Sequence, residues 1–326
     1  MCAFLKTIQN QRRPHRGPKG CSGTNNKEES DTKLLTFIGF GEAAYHIAKG
    51  LTAEGVSGIV AYDRMQDSAE RSLIRKQAKE LGVTLAKSCE EACGDAKFVL
   101  SLTSANVALS VAEEALPYMA KGAVYVDMNA AGPQVKKTLG ELPNAADIDF
   151  CDCAIMGPVP KKEHQTAMLL SGSGAAAFIT AMKPFHINLT LLDAPLGGAS
   201  AIKMFRSVVL KGIPQLLFEA MLPARKYGVF DTLVESLNDT LANTTIENWC
   251  DLFINRTVLH AARRAHEMED VISTIQEMGL DASMSVGTRH KLLRLAEFDL
   301  TSKMESAADS QYLRTIDMLL EKEENR

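Results

Sequence analysis

The amino-acid sequence predicts a mainly parallel α/β sheet with helices on both faces, followed by an all-α region. Short apolar runs alternate with helical patterns from Leu34 to about Asp193, as expected of such a sheet. The first run ends in two glycines one residue apart, Gly39 and Gly41, and passes at once into apolar residues at helical spacing. After Pro195 the alternation stops, and everything from about Gly198 onward has helical spacing.

The opening segment Leu34–Leu51 reads as strand, tight turn and helix. Gly39 can take the backbone angles the turn needs, and Gly41 has no side chain to hold a pyrophosphate away from the first helical N–H groups. Phe40, Glu42 and Ala43 complete the turn, and Ala44 fills the third small position of G-x-G-x-x-[GA], where the helix lies close to the strand. A second strand, Gly58–Asp63, ends in a carboxylate about 20 residues on, where a Rossmann-type fold binds a ribose 2′-hydroxyl. The alternative is a glycine turn in an unrelated α/β protein. Arg64 follows Asp63, and a guanidinium there can pair with a 2′-phosphate. Because adjacent residues at a strand end point to opposite sides, only one of the two should face the ribose, and the motif spacing selects Asp63 and therefore NAD over NADP.

Composition narrows the function classes. The chain has 326 residues, 46% of them hydrophobic, enough for two moderate cores. Lys plus Arg total 36 against 40 acids, a net charge of −4, so no basic field argues for nucleic acid or an anionic membrane. No apolar stretch approaches the ~20 residues that span a bilayer. The seven cysteines are scattered and odd in number, which suits a reducing compartment. Cys151-Asp152-Cys153 invites a metal reading, but no second Cys or His pair follows at zinc spacing, so no metal is expected.

Three segments follow from these patterns: a flexible extension over 1–31, a Rossmann-type domain over 32–196 and an all-α domain over 197–326. The extension carries Arg12, Arg13 and Arg16 before its first acid, with Pro and Gly interrupting any helix. It reads as an unstructured tail on a cytoplasmic enzyme, with a mitochondrial transit peptide as the alternative. Within the sheet domain, Lys97–Leu102 is a buried strand followed by the polar turn Thr103–Asn106, where the Ser104 hydroxyl can cap the next helix. Ala123–Asp127 is another strand, closing on Met128-Asn129. Ligands of open α/β sheets sit outside the carboxyl ends of strands, which places Thr103 and Asn129 near a nicotinamide, unless each is an ordinary cap or turn residue. Asp149–Pro160 runs from a strand into a stiff loop, and two further strands lie at Thr166–Gly172 and Ile187–Leu192.

The long helix from Ala199 to about Tyr227 should bend near Gly212 and Pro214. Along it Lys203, Ser207 and Lys211 share one face, with Arg206 beside them and apolar neighbours that make the helix read as largely buried. Lys203 is then a candidate general acid/base, since burial or a nearby cation can lower a lysine pKa toward neutrality. A solvated helix edge with snorkelling lysines is the other reading.

These motifs together resemble the β-hydroxyacid dehydrogenases, the family of 3-hydroxyisobutyrate and 6-phosphogluconate dehydrogenases. Gly39–Ala44 resembles the family's cofactor turn, Asp152–Val159 its substrate loop, and Gly197–Lys203 the helix start that delivers its catalytic lysine. Glu219-Ala220 and Lys226–Asp231 resemble the continuation of that helix, so the likeness covers roughly 34–231. Beyond it, His260–Met268 is similar to the variant carboxyl-terminal domain of 6-phosphogluconate-dehydrogenase-like proteins. Met156 stands where the family has a loop serine, Pro158 where it has a glycine, and Ser207 where it has an asparagine.

The resemblance implies NAD(P)-dependent oxidation of a small anionic hydroxy acid, or the reverse reduction, with Lys203 and Ser207 at the reaction. It further implies that Asn129, Met156 and Gly157 position substrate, that Arg206 or Lys211 meets its anionic group, and that the protein is a homodimer. An imine reductase shares the architecture but has a different residue at the lysine position, and a non-enzymatic NAD(P)-binding regulator would need no Lys203.

Overall fold

In the computed structural model, residues 33–68, 72–143, 145–242, 244–300 and 312–325 are described. The extension over 1–31 lies outside them. The chain divides into two compact units, one through Ala199 and one from Ser200.

The first unit is built on eight strands: β1 (Lys33–Ile38), β2 (Val60–Tyr62), β3 (Thr84–Leu85), β4 (Ala96–Ser101), β5 (Val124–Asp127), β6 (Asp149–Ile155), β7 (Met168–Ser171) and β8 (Leu189–Leu191). Their order in the sheet is β3-β2-β1-β4-β5-β6-β7-β8, and only the β6–β7 pair is antiparallel. The connecting helices are α1 (Glu42–Ala53), α2 (Ser72–Leu81), α3 (Cys89–Cys93), α4 (Ala108–Ala115), α5 (Pro133–Leu139), α6 (Val159–Lys162) and α7 (Ala175–Met182).

A strand covered on both faces must be apolar on both, which is why the strands read as unbroken runs. The two-residue period then sorts neighbours. Phe37, Phe98, Cys151 and Cys153 enter one core with Ile47, Leu51 and Phe178, while Ile38, Val99 and Phe150 enter the other with Val111 and Leu116. The same period separates the Cys-Asp-Cys triplet, putting Asp152 on the face opposite the two thiols. Burial pushes the Cys151 thiol well above its usual pKa, which disfavours the thiolate form a metal requires.

The second unit is helical. It holds most of α8 (Gly198–Tyr227), then α9 (Phe230–Leu241), α10 (Ile246–Leu259), α11 (Ala261–Glu277), α12 (Ser283–Glu297) and α13 (Tyr312–Glu324). Helix α8 runs without interruption through Pro214 and Pro223. Two of its side chains serve the ends of other helices. Glu219 accepts from the backbone N–H groups of Met284 (2.7 Å) and Ser285 (2.6 Å) in the first turn of α12, and Lys226 Nζ donates to the Met278 carbonyl (2.5 Å) just past α11. An anion at a helix N-terminus and a cation at a C-terminus both complement the helix dipole. The small core here gathers Val258, Phe298 and Leu300 with Leu295, Met318 and Leu319.

Candidate cofactor site

Strand β1 has β2 on one side and β4 on the other, so successive connections leave it in opposite directions and a crevice opens at the carboxyl ends of the strands. A cavity of about 440 Å³ lies there, within the usual size of a ligand pocket. Gly39, Gly41, Glu42 and Ala43 form one wall. Gly39 has φ +88°, and a Cβ on it would stand 2.5 Å from the Leu102 carbonyl oxygen and 2.6 Å from Thr103 Cγ2. The β4 loop therefore packs directly on the turn, and only glycine fits. Gly41 is the N-cap of α1, and no side chain caps the helix there. Its first-turn N–H groups face a concave apolar site, a cradle that suits a pyrophosphate.

Asp63 and Arg64 also line the cavity. Asp63 ties the site together, accepting from Phe40 N through Oδ2 (2.9 Å) and from Met65 N through Oδ1 (2.8 Å). Phe40 contributes this backbone donor while its ring is fully buried. The alternation of sides expected at this strand end does not separate Asp63 from Arg64. Strand β2 ends at Tyr62, so both residues lie in the following turn, where the alternation of sides no longer applies. Arg64 is ion-paired with Glu114 of α4 across the same cavity.

Thr103 lines the cavity, whereas Asn129 works behind it. Asn129 Oδ1 accepts from Thr103 N (2.6 Å) and Thr103 Oγ1 (3.2 Å), and its Nδ2 donates to Ser101 Oγ (2.9 Å). The buried amide thus joins the ends of β4 and β5 and fixes the Thr103 turn. Ser104 does not cap as anticipated: its hydroxyl donates to Asn106 Oδ1 (2.6 Å), and the turn that follows is a 3₁₀ helix over Ala105–Val107 without a side-chain cap.

Beneath Asn129 lies an ionic cluster that sequence reasoning missed. Lys136 of α5 is completely buried, and its Nζ stands 3.2 Å from Asp127 Oδ1 and 3.3 Å from Asp152 Oδ1. It donates to the carbonyls of Asp127 and Asn129, both at 3.0 Å. Asp127 Oδ1 in turn accepts from Asn129 N (2.8 Å). A lysine with no solvent is tolerable only with such compensation. Asp152 of the expected substrate loop is therefore a structural carboxylate on the sheet. Farther along that loop, Met156 N donates to the Ala167 carbonyl (2.9 Å), Gly157 is exposed, and a Cβ there would make only an ordinary contact with Thr166.

The remaining sequence candidates lie on α8 in the second unit. Lys203 and Ser207 are half-buried, and Arg206 and Lys211 are exposed. Ser207 Oγ donates to the Lys203 carbonyl at 2.9 Å, bonding back within the helix. The apolar neighbours are not enclosed as expected: Val208 is 72% exposed and Phe205 68%. Tyr62, Val107, Val111 and Glu114 line the cavity and were not singled out from the sequence. Three of them are apolar or aromatic residues of ordinary strand and helix patterns, and Glu114 lies 50 residues from Arg64.

A glycine turn at a helix N-terminus, a carboxylate past β2 and a crevice at the sheet's switch point define the dinucleotide-binding α/β class. Within that class the chain matches the NAD binding domain of 6-phosphogluconate dehydrogenase over residues 34–187 and a domain of unknown function, DUF1932, over residues 224–295. The chain belongs to this 6-phosphogluconate-dehydrogenase-like, NAD(P)-binding family. A conserved hypothetical protein from Sinorhizobium meliloti is 31% identical, the match covering 87% of this chain and 93% of that one with a TM-score of 0.60. A conserved protein of unknown function, described as structurally similar to 3-hydroxyacid dehydrogenases, is 28% identical over 81% of this chain and 97% of its own, with a TM-score of 0.57. The imine reductase from Aspergillus terreus shares the fold with a TM-score of 0.65 at 17% identity, covering 82% of this chain and 95% of that one.

Proposed function

We propose that the protein oxidises the CH–OH group of a small anionic hydroxy acid, or reduces the corresponding carbonyl, with Lys203 as the proton carrier. The observation that carries this reading is the Gly39–Gly41 cradle opening onto the crevice at the ends of β1 and β4. Bound NAD(P) supplies a hydride acceptor or donor. The chain's own residues do the rest. Thr103, held by Asn129, shapes the cavity floor, and the α1 N-terminus meets the pyrophosphate. Lys203 takes the hydroxyl proton as the neutral amine, and in reduction its ammonium gives a proton to the forming alkoxide. Arg206 and Lys211, on the same stretch of α8, supply positive charge for the substrate's carboxylate. Asn129 and Gly157 belong to the substrate side, Asn129 by positioning Thr103 and Gly157 by its backbone.

NAD is the preferred cofactor in this reading. Three carboxylates, Glu42, Asp63 and Glu114, line the cavity with one guanidinium, Arg64. That leaves a net negative lining, which repels a 2′-phosphate. The likeness to imine reductases rests on fold alone, and Lys203 favours the hydroxy-acid reaction over it. The family's homodimer fits the apolar residues left exposed along α8. The deciding experiment is NAD(P)H absorbance across a panel of hydroxy acids with wild type and Lys203→Ala. Turnover by wild type that falls at least about 10²-fold in the variant, with cofactor binding intact, is the expected result. Equal turnover by both moves the proton transfer to another residue.

A further inference from the structure

Glu114 has no place in the sequence motif, yet it lines the cofactor cavity together with Asp63. It sits near the end of α4, 50 residues from Arg64, and its carboxylate Oε2 accepts from Arg64 Nη2. The two side chains line the same cavity as Asp63, which follows β2 immediately before Arg64. Asp63 is fixed there by two backbone donors, Phe40 N and Met65 N, so it cannot swing aside without opening the glycine turn. Arg64 is different. It is exposed, and the ion pair with Glu114 is the contact described for its guanidinium.

Other groups nearby report the same field. The Tyr62 phenol, which lines the cavity, has its pKa raised, first by burial and next by the Glu114 charge. The Arg64 guanidinium is raised first by its hydrogen bond to Glu114. A guanidinium past β2 is the group that would pair with a 2′-phosphate, in a bidentate geometry that a carboxylate also satisfies. Glu114 therefore competes with that phosphate for the same donors, and adds a like charge beside it.

We propose that Glu114 is a specificity-determining residue: by holding Arg64 it withholds the guanidinium from a 2′-phosphate and so sets the protein against NADP. The inference rests on the cofactor reading given above and adds to it the partner that makes Arg64 silent. Discrimination then has two sources, the fixed Asp63 carboxylate and the Glu114–Arg64 pair. Only the second is released by a single substitution at half-buried Glu114.

The test is titration calorimetry of NAD⁺ and NADP⁺ against the full chain, with no substrate and no turnover. Wild type should bind NAD⁺ more tightly than NADP⁺. Glu114→Gln should tighten NADP⁺ about tenfold, the scale of one charge removed and one released at a protein surface, and change NAD⁺ less than about twofold. Arg64→Ala in wild type should barely alter NADP⁺ binding, because that side chain is already occupied. Arg64→Ala added to Glu114→Gln should abolish most of the gain, and the gain should shrink in high salt. An NADP⁺ affinity unchanged in Glu114→Gln, in a variant whose thermal midpoint matches wild type, overturns the inference. So does a gain that survives removal of Arg64, or a wild type that prefers NADP⁺. Wild type that binds neither dinucleotide overturns the cofactor reading as well, whereas tight NAD⁺ binding with an unresponsive Glu114→Gln overturns this inference alone.

Discussion

In the first unit Phe37, Phe98 and Phe178 are sealed between sheet and helices, whereas in the second Phe205, Val208 and Phe218 stand more than half exposed along α8. The sheet unit closes its apolar surface twice, once on each face, and places its polar groups into networks such as Thr103–Asn129–Ser101. Among the described residues the helical unit gathers a small core around Val258, Phe298 and Leu300, and it ties helix ends with charged side chains. One region is stabilised by enclosure. The other is held by caps and, among the described residues, leaves large apolar side chains exposed along α8.

The largest effect should come from breaking enclosure where it traps charge. Lys136→Met removes the one ammonium between Asp127 and Asp152 and leaves two buried carboxylates. It should cost about 3–5 kcal/mol in urea unfolding. Glu219→Gln, in the helical unit, keeps the shape but loses the charge-assisted caps on Met284 and Ser285, and a cost of about 1–2 kcal/mol is expected. A loss for Glu219→Gln as large as that for Lys136→Met would erase the contrast between the two units. Association is sharpened by Phe205→Asp paired with Val208→Asp. If the proposed homodimer forms through this face, sedimentation velocity should show wild type sedimenting as the larger species and the paired variant as a monomer, with helicity by circular dichroism unchanged. The smallest effect concerns Glu269, whose carboxyl is held below its ordinary pKa first by its hydrogen bond to Arg289 and by that residue's charge. A depressed folded-state value stabilises above the unfolded carboxylate pKa and is lost as pH falls through the folded one. Arg289→Leu should flatten the acid limb of thermal stability slightly, and salt should do the same.

Much of the sheet unit was legible because its signals are local. Phe37-Ile38-Gly39 carries strand, face alternation and turn within three residues, and the structure puts Phe37 and Ile38 into opposite cores. The cavity wall from Gly39 to Ala43 follows from the same stretch. What stayed hidden depends on pairs far apart in the chain. Nothing in the sequence marks Lys136 as a partner of Asp152, since α5 carries Lys136 and Lys137 side by side and only the fold buries the first. Arg64 and Glu114 meet for the same reason. The burial expected around Lys203 failed on another ground. Apolar residues such as Val208 and Leu210 mark a face that needs covering, but their spacing does not say whether the cover comes from the same chain.

Lys136 also offers a clock. Amine-acylating reagents react with an accessible, unprotonated amine, and this ammonium has neither solvent nor a spare lone pair while α5 is seated. Exposed lysines such as Lys121 should be labelled in the folded protein without any opening. Lys136 waits for an opening that lifts α5 from β5 and β6. The rate at which mass spectrometry finds it labelled therefore counts how often that flank of the sheet breathes.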